Sequence, residues 1–327
     1  MRKKALITGI TGQDGKHLAD LLLEKDYEVY GMVTGHRETG RNDLGITLPK
    51  VKKVYGDLAD NSSLANVLDE VKPDEVYNLG ALTFVGLSFS QPEITANVTG
   101  LGTLRLLEAL RNSPNFQQIK FYQASSSEMF GKVQSVPQNE TTSFYPRSPY
   151  GVAKTFAHYT TVNYRESYGM HASCGILFNH EGPYRGLEFV TRKITNTVAR
   201  IKLGKAKELR LGTLEPKRDW GYAGDYVEAM YLMLQQEKPS DYVIATGETH
   251  SVREFAELAF EVADLQDGIE KYVKIDKKFQ RPAEVDLLIG DATKAEKILN
   301  WKPKLSFEGL VSLMVENDLK IESQRQD

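Results

Sequence analysis

Disulfide chemistry is ruled out first: the 327 residues contain one cysteine, Cys174. A single thiol excludes an intrachain disulfide framework and suits a reducing compartment. Long apolar runs are missing too. The charged start Met-Arg-Lys-Lys leads into Ala5-Leu6-Ile7-Thr8-Gly9, which is too short and glycine-rich for a signal-peptide core, so a cytoplasmic protein with no membrane partner is expected. Excess charge of one sign is absent, with 41 Lys+Arg against 44 Asp+Glu and a net charge of −3. No cation surplus exists to neutralise a phosphate backbone, which argues against nucleic acid as a partner. Histidines are few and scattered, giving no ligand spacing for a metal. No internal repeat and no Pro/Ser-rich linker divides the chain. The 41% hydrophobic and 26% charged content is that of an ordinary globular protein, whose core needs neither disulfides nor a structural metal.

Short apolar runs alternate with helical patterns through the first half. Lys4–Thr8, Glu28–Val33, Val51–Tyr55, Glu75–Leu79 and Ile119–Gln123 read as strands, while Leu18, Leu21 and Leu22 recur at helical spacing, as do residues 62–71 and 100–110. Such alternation implies right-handed βαβ crossovers and a parallel sheet. A long helix is predicted from about Tyr150 to Ser167 and a further strand at Ser173–Phe178. Beyond that, residues 185–204, 227–236, 252–263 and 306–321 look helical, and 209–212 and 241–245 look like strands. The fold class expected is therefore α/β, a doubly wound parallel (Rossmann) sheet in residues 1–175. Residues 176–327 would form a smaller α/β substrate-binding domain, with some segments returning to the first.

Directly after the first strand stands Gly9-Ile10-Thr11-Gly12-Gln13-Asp14-Gly15, opening a helix. Glycine lets the backbone approach a pyrophosphate closely, and the helix N-terminus offers N–H donors and a positive dipole end. This predicts a dinucleotide site that includes Thr11, Gln13 and Asp14. The second strand ends in Thr34-Gly35-His36-Arg37, without the acid that usually binds ribose hydroxyls in NAD sites. Arg37 could instead pair with a 2′-phosphate, which favours NADP over NAD. Asp57 and Leu58 after the third strand would approach the adenine, although Asp57 equally suits a helix cap.

Tyr150 and Lys154, four residues apart, share one helix face. A lysine cation beside a phenol would lower its pKa and make it a base near neutral pH. Ser125-Ser126-Ser127-Glu128 follows the fifth strand, and the carboxyl ends of parallel strands are where such sheets bind ligands.

With Gly9-x-x-Gly12-x-x-Gly15, Asn78-Leu79-Gly80-Ala81, the Ser126 loop and Tyr150-x-x-x-Lys154, the sequence resembles the extended short-chain dehydrogenase/reductases. More specific stretches are Phe121-Tyr122-Gln123-Ala124-Ser125, Phe144 to Tyr150, Ile176 to Glu181, Phe189 to Lys193, Arg218-Asp219-Trp220-Gly221 and Arg281 to Asp286. Over nearly the whole chain these are similar to the GDP-mannose 4,6-dehydratase family. The resemblance implies a lyase that removes hydride from carbon 4 of a GDP-sugar, eliminates water across carbons 5 and 6, and returns the hydride to carbon 6. It implies Ser126, Glu128, Tyr150 and Lys154 as catalytic residues, Glu128 being the carboxylate that the elimination requires. Leu79, Gly80, Ala81 and His180 would join the cofactor site, His180 as a packed or orienting group. Ser88, Asn179, Arg185, Val190, Lys193, Arg218, Arg281 and Glu284 would meet the GDP-sugar, arginine forks being suited to diphosphate oxygens. A homodimer or homotetramer is implied, with dimerisation through the helices near 100–110 and 150–167.

Departures from the family pattern fall on the substrate side. Ser126 stands where Thr is usual, Leu82-Thr83-Phe84 replaces Gln-Ser-His, and Gly182-Pro183-Tyr184-Arg185-Gly186 replaces Ser-Pro-Arg-Arg-Gly. The loop at Thr34-Gly35-His36-Arg37 is shortened. Alternative readings are a nucleotide-sugar epimerase or UDP-glucuronate decarboxylase, and a cofactor-binding sensor without turnover. The joint presence of Ser126, Glu128, Tyr150 and Lys154 argues against the sensor.

Overall fold

The first strand, β1 (Lys4–Thr8), is apolar at Ala5, Leu6 and Ile7, all fully buried, as expected for a strand covered on both faces. β2 (Glu28–Val33), β3 (Lys52–Tyr55), β4 (Glu75–Asn78), β5 (Lys120–Ser126) and β6 (His171–Leu177) pair in parallel around it. The computed structural model describes residues 2–35, 48–279, 285 and 287–325. Within it a seventh parallel strand, Asp241–Ile244, pairs with β6, so the sheet runs 241–244, β6, β5, β4, β1, β2, β3. The chain order reverses between β1 and β4, and the crevice at the carboxyl ends of those two strands is where a doubly wound sheet places its ligand.

Two apolar layers cover the sheet. One includes Leu18, Ala19 and Leu22 of the first helix (Gln13–Glu24), and is completed from the second half by Tyr226, Met230 and Met233 of helix Ala223–Gln235 and by Trp301. The other packs Leu64, Val67 and Leu68 against Leu106, Leu107 and Leu110. A separate core joins helices Val190–Lys202, Val252–Val262 and Phe307–Gln324 around Trp220, Phe255 and Phe307.

Helix boundaries differ from the sequence pattern at two places that matter. Residues 185–189 are not helical: the helix begins at Val190, leaving Gly182–Phe189 as a loop. Residues 96–101 form a π-helix running into the α-helix Gly102–Arg111. A π-turn closes i→i+5 hydrogen bonds in place of i→i+4 and so takes up one extra residue, which shifts the face presented by the residues before it. Among the described residues no helix is long and apolar enough to cross a membrane.

Candidate active site

At the carboxyl end of β1, Gly9 has φ of +69°, and a Cβ there would lie 2.9 Å from both Leu79 C and Gly80 N at the end of β4. Glycine is required at this position by conformation and by space together. A Cβ on Gly15 would lie 2.5 Å from Gly9 O, whereas one on exposed Gly12 would meet only Gly9 O, at 3.2 Å. The turn is therefore tight beneath and open above, a cradle that fits the diphosphate of a dinucleotide at the start of helix Gln13–Glu24. Gly9→Ala is expected to cost about 1–3 kcal/mol from the backbone conformation alone and to abolish dinucleotide binding, which thermal unfolding and a cofactor titration would measure.

The wall of this cradle is fixed by a buried hydrogen-bond chain that the motif reading left unexplained. Gly80 N donates to Thr8 Oγ1 (2.9 Å), Thr8 Oγ1 donates to Asn78 Oδ1 (2.7 Å), and Asn78 Nδ2 donates to Thr103 Oγ1 and Gln123 Oε1. Asn78 thus ties the ends of β1, β4 and β5 together beneath Leu79-Gly80-Ala81.

The long helix Pro149–Tyr168 begins where Ser148 caps it, its hydroxyl accepting from Gly151 N (3.0 Å), with Pro149 in the first turn. This start places Tyr150 and, one turn on, Lys154 beside the carboxyl end of β5. Ser126 ends that strand, and its hydroxyl accepts from Glu128 N (3.2 Å), starting the short 3₁₀ turn Ser127–Met129 that carries Glu128 inward. Glu128, Tyr150 and Lys154 are all buried. One cleft brings together Asp14, Leu79, Ser126, Glu128, Tyr150, Lys154, Asn179, His180 and Arg185, joined by Thr83, Val85 and Phe189, which sequence reasoning had not assigned.

The Tyr/Lys pair shares one helix face, as the spacing predicts, and both residues are buried. Burial pushes the Tyr150 phenol well above its ordinary range. The Ser126 hydroxyl and Arg185 pull it down, while Glu128 and Asp14 push it up. The Lys154 ammonium donates to Ala124 O (2.7 Å) and stands 5.8 Å from the Tyr150 ring centre. Burial pushes Lys154 down to about 8, and the charge opposing this is Asp14.

Arg185 is held over the Phe189 ring at 3.6 Å and ion-paired to buried Glu181 at 2.9 Å without a well-directed hydrogen bond. Arg192 anchors the same loop: its guanidinium donates to Pro183 O and Arg185 O (3.0 Å) and pairs with buried Asp318 of the C-terminal helix. Both stretches that depart from the family pattern make aromatic contacts. Phe84 meets Phe189 edge to face at 5.8 Å, and Tyr184 packs on His17 at 4.9 Å beneath the Lys16 ammonium.

Among the described residues, Ser88, Val190, Lys193, Arg218, Asp57 and Leu58 lie outside this cleft. Ser88 is buried, its hydroxyl donating to Val85 O. Val190 and Lys193 open helix Val190–Lys202, with Lys193 Nζ 3.0 Å from the Phe279 ring centre. Arg218 sits on the short strand Lys217–Arg218, one guanidinium nitrogen donating to Lys217 O. Asp57 Oδ1 accepts from Ala59 N, Asp60 rather than Asp57 caps helix Asn61–Val71, and Leu58 is buried in the core. Arg37, Arg281 and Glu284 lie outside the described residues.

A doubly wound sheet with a glycine cradle at its switch point and a Tyr/Lys helix alongside defines the class, the extended short-chain dehydrogenase/reductases. The fold is shared with the NAD complex of UDP-glucose 4-epimerase from Thermus thermophilus (TM-score 0.83, 28% identity, 96% of this chain and 98% of that one). It is shared also with RMD from Pseudomonas aeruginosa complexed with NADPH (TM-score 0.79, 25% identity, 98% and 99%). Sequence comparison is more specific. The GDP-mannose 4,6 dehydratase family profile matches residues 6–314, and GDP-mannose 4,6 dehydratase 1 of Arabidopsis thaliana is 54% identical over 98% of this chain and 91% of its own. The chain belongs to the GDP-mannose 4,6-dehydratase family.

Proposed function

We propose that this protein is a hydro-lyase converting GDP-mannose to GDP-4-keto-6-deoxy-mannose, and that Ser126, Glu128, Tyr150 and Lys154 carry the reaction. The observation that supports it is the meeting of Glu128 with Tyr150 and Lys154 in one buried cleft. A hydride-transfer step alone requires only the Tyr/Lys pair, and the added carboxylate serves an elimination. The glycine cradle Gly9–Gly15 would hold a nicotinamide dinucleotide, which would supply the hydride acceptor and donor that the reaction needs. Tyr150 takes the proton of the sugar 4-hydroxyl, with the Ser126 hydroxyl orienting that oxygen. The carbonyl at carbon 4 acidifies the hydrogen on carbon 5, which Glu128 takes as a proton and hands to the departing 6-hydroxyl so that it leaves as water. The proton taken by Tyr150 balances the one that carbon 5 regains when hydride returns to carbon 6. Lys154 supplies positive charge next to the developing phenolate, and Arg185 bears on the phosphate-rich part of the ligands.

Within the nicotinamide class, NADP is the favoured cofactor, since the tip of β2 offers Thr34 and Gly35 where NAD sites usually carry an acid. Self-association through the long helix is also part of this reading. Val152, Phe156 and Tyr159 project from it exposed, beside exposed Leu101.

Incubation with GDP-mannose and mass analysis of the nucleotide tests the function. Loss of one water is expected; no loss with GDP-mannose but loss with a different nucleotide sugar would overturn the substrate assignment. Parallel reactions of stripped enzyme refilled with NADP or NAD decide the cofactor.

A further inference from the structure

His180 faces two acceptors. Its Nδ1 lies 2.7 Å from Phe178 O, a carbonyl that only accepts, so Nδ1 carries a proton. Its Nε2 lies 2.9 Å from Asp14 Oδ2. Asp14 occupies the first turn of helix Gln13–Glu24, where the helix dipole favours an anion, and its other oxygen accepts from Gln13 Nε2 (3.1 Å). An ionised Asp14 also accepts only, so Nε2 must be protonated as well. The ring stacks on Tyr226, centroids 4.7 Å apart and planes at 21°, a face that suits a cation. Gln13 Nε2 donates in addition to His180 O (3.0 Å), joining the same two segments a second time.

We propose that His180 is held as an imidazolium whose charge cancels that of Asp14 at the phosphate-binding turn and latches that turn to strand Asn179–Glu181. It is a positioning residue for the reaction, and the inference rests on the reading that the Gly9–Gly15 turn holds the dinucleotide. A carboxylate left uncancelled in the first turn of a phosphate-binding helix repels the diphosphate that the turn is built to receive. The groups facing the ring agree with the charged form. Burial opposes the imidazolium, but Asp14 outweighs it and raises His180 above its ordinary value, while Arg185 from the following loop opposes. His17 of the first helix is itself pushed down by burial, and Tyr226 of helix Ala223–Gln235 stays neutral. Asp219, Asp225 and Glu181 bear on Tyr226.

The sign follows from the raised value: the latch is intact at low pH and is lost as pH rises through the folded-state pKa of His180. The test is an NADP titration from pH 6 to 9.5 on wild type, His180→Gln, Asp14→Asn and the double variant, with nitrogen-15 NMR of the His180 ring. Wild-type affinity is expected to fall at least about tenfold across that value, tracking one proton. His180→Gln should bind at least about tenfold more weakly at pH 6 without that slope. Asp14→Asn should lack the slope, and adding it to His180→Gln should restore much of the affinity. Both ring nitrogens should be protonated at pH 7. A neutral His180 ring at pH 7, or a pH slope unchanged in His180→Gln, overturns the latch. If Gly9→Ala keeps wild-type NADP affinity, the premise about the turn fails instead.

Discussion

Glu128→Gln is expected to bind GDP-mannose and complete the first hydride transfer, then stop. The amide matches the carboxylate in shape and still fits the buried turn after β5, but it cannot accept the proton from carbon 5. General-base catalysis of this kind is worth about 10²–10⁴-fold, so turnover should fall by about that factor while substrate affinity changes little. The distinguishing sign is spectroscopic. Reduced nicotinamide should accumulate to about one equivalent per site in a stopped-flow experiment, because the hydride has been taken but has no acceptor to return to. A Glu128→Gln enzyme that releases dehydrated product at the wild-type rate would remove Glu128 from the elimination.

Tyr150→Phe is expected to fail one step earlier. Without the phenol oxygen nothing takes the proton of the 4-hydroxyl, and turnover should drop by about 10²–10⁴-fold with no reduced nicotinamide appearing at any time. The two variants thus separate the oxidation from the elimination by a single absorbance trace. Burial disfavours the Tyr150 phenolate more than Ser126 and Arg185 favour it. Taking the 4-hydroxyl proton therefore calls for positive charge beside the phenol, which the Lys154 ammonium in the same cleft and a cationic nicotinamide would supply. Burial pushes Lys154 down to about 8, so turnover is expected to fall as pH rises past that value and the cation is lost. Reduced nicotinamide appearing in Tyr150→Phe at the wild-type rate would show that another group takes the proton.

The inner strands were legible because a strand buried on both faces must be a short apolar run, and β1, β4, β5 and β6 lie within a few residues of such runs. The glycine turn was legible for a similar reason: Gly9 and Gly15 are dictated by backbone clashes within ten residues of themselves and with the end of β4. Sequence also put Tyr150 and Lys154 on the long helix and Glu128 in the turn after the fifth strand, each fixed by a local device such as the Ser148 cap or the Ser126 hydroxyl, while Ser126 itself ends that strand and does not follow it.

What the sequence could not contain were relations across long separations. Nothing in the spacing of Asp14 and His180, or of Arg192 and Asp318, announces that they meet. Each pair forms only because the second half of the chain folds back over the first helix and because the C-terminal helix packs on Val190–Lys202. The surroundings that bear on Tyr150 were not contained in the spacing for the same reason. Four residues on a helix place a lysine near a tyrosine, but the carbonyl of Ala124, thirty residues earlier, receives the ammonium, and burial sets the phenol. Local conformation and family membership were determined by the sequence alone, because they depend on short-range sterics and on residue identity. The direction of charges in the cleft was decided by the tertiary structure, because desolvation and Coulomb energies depend on what the fold brings within a few ångströms.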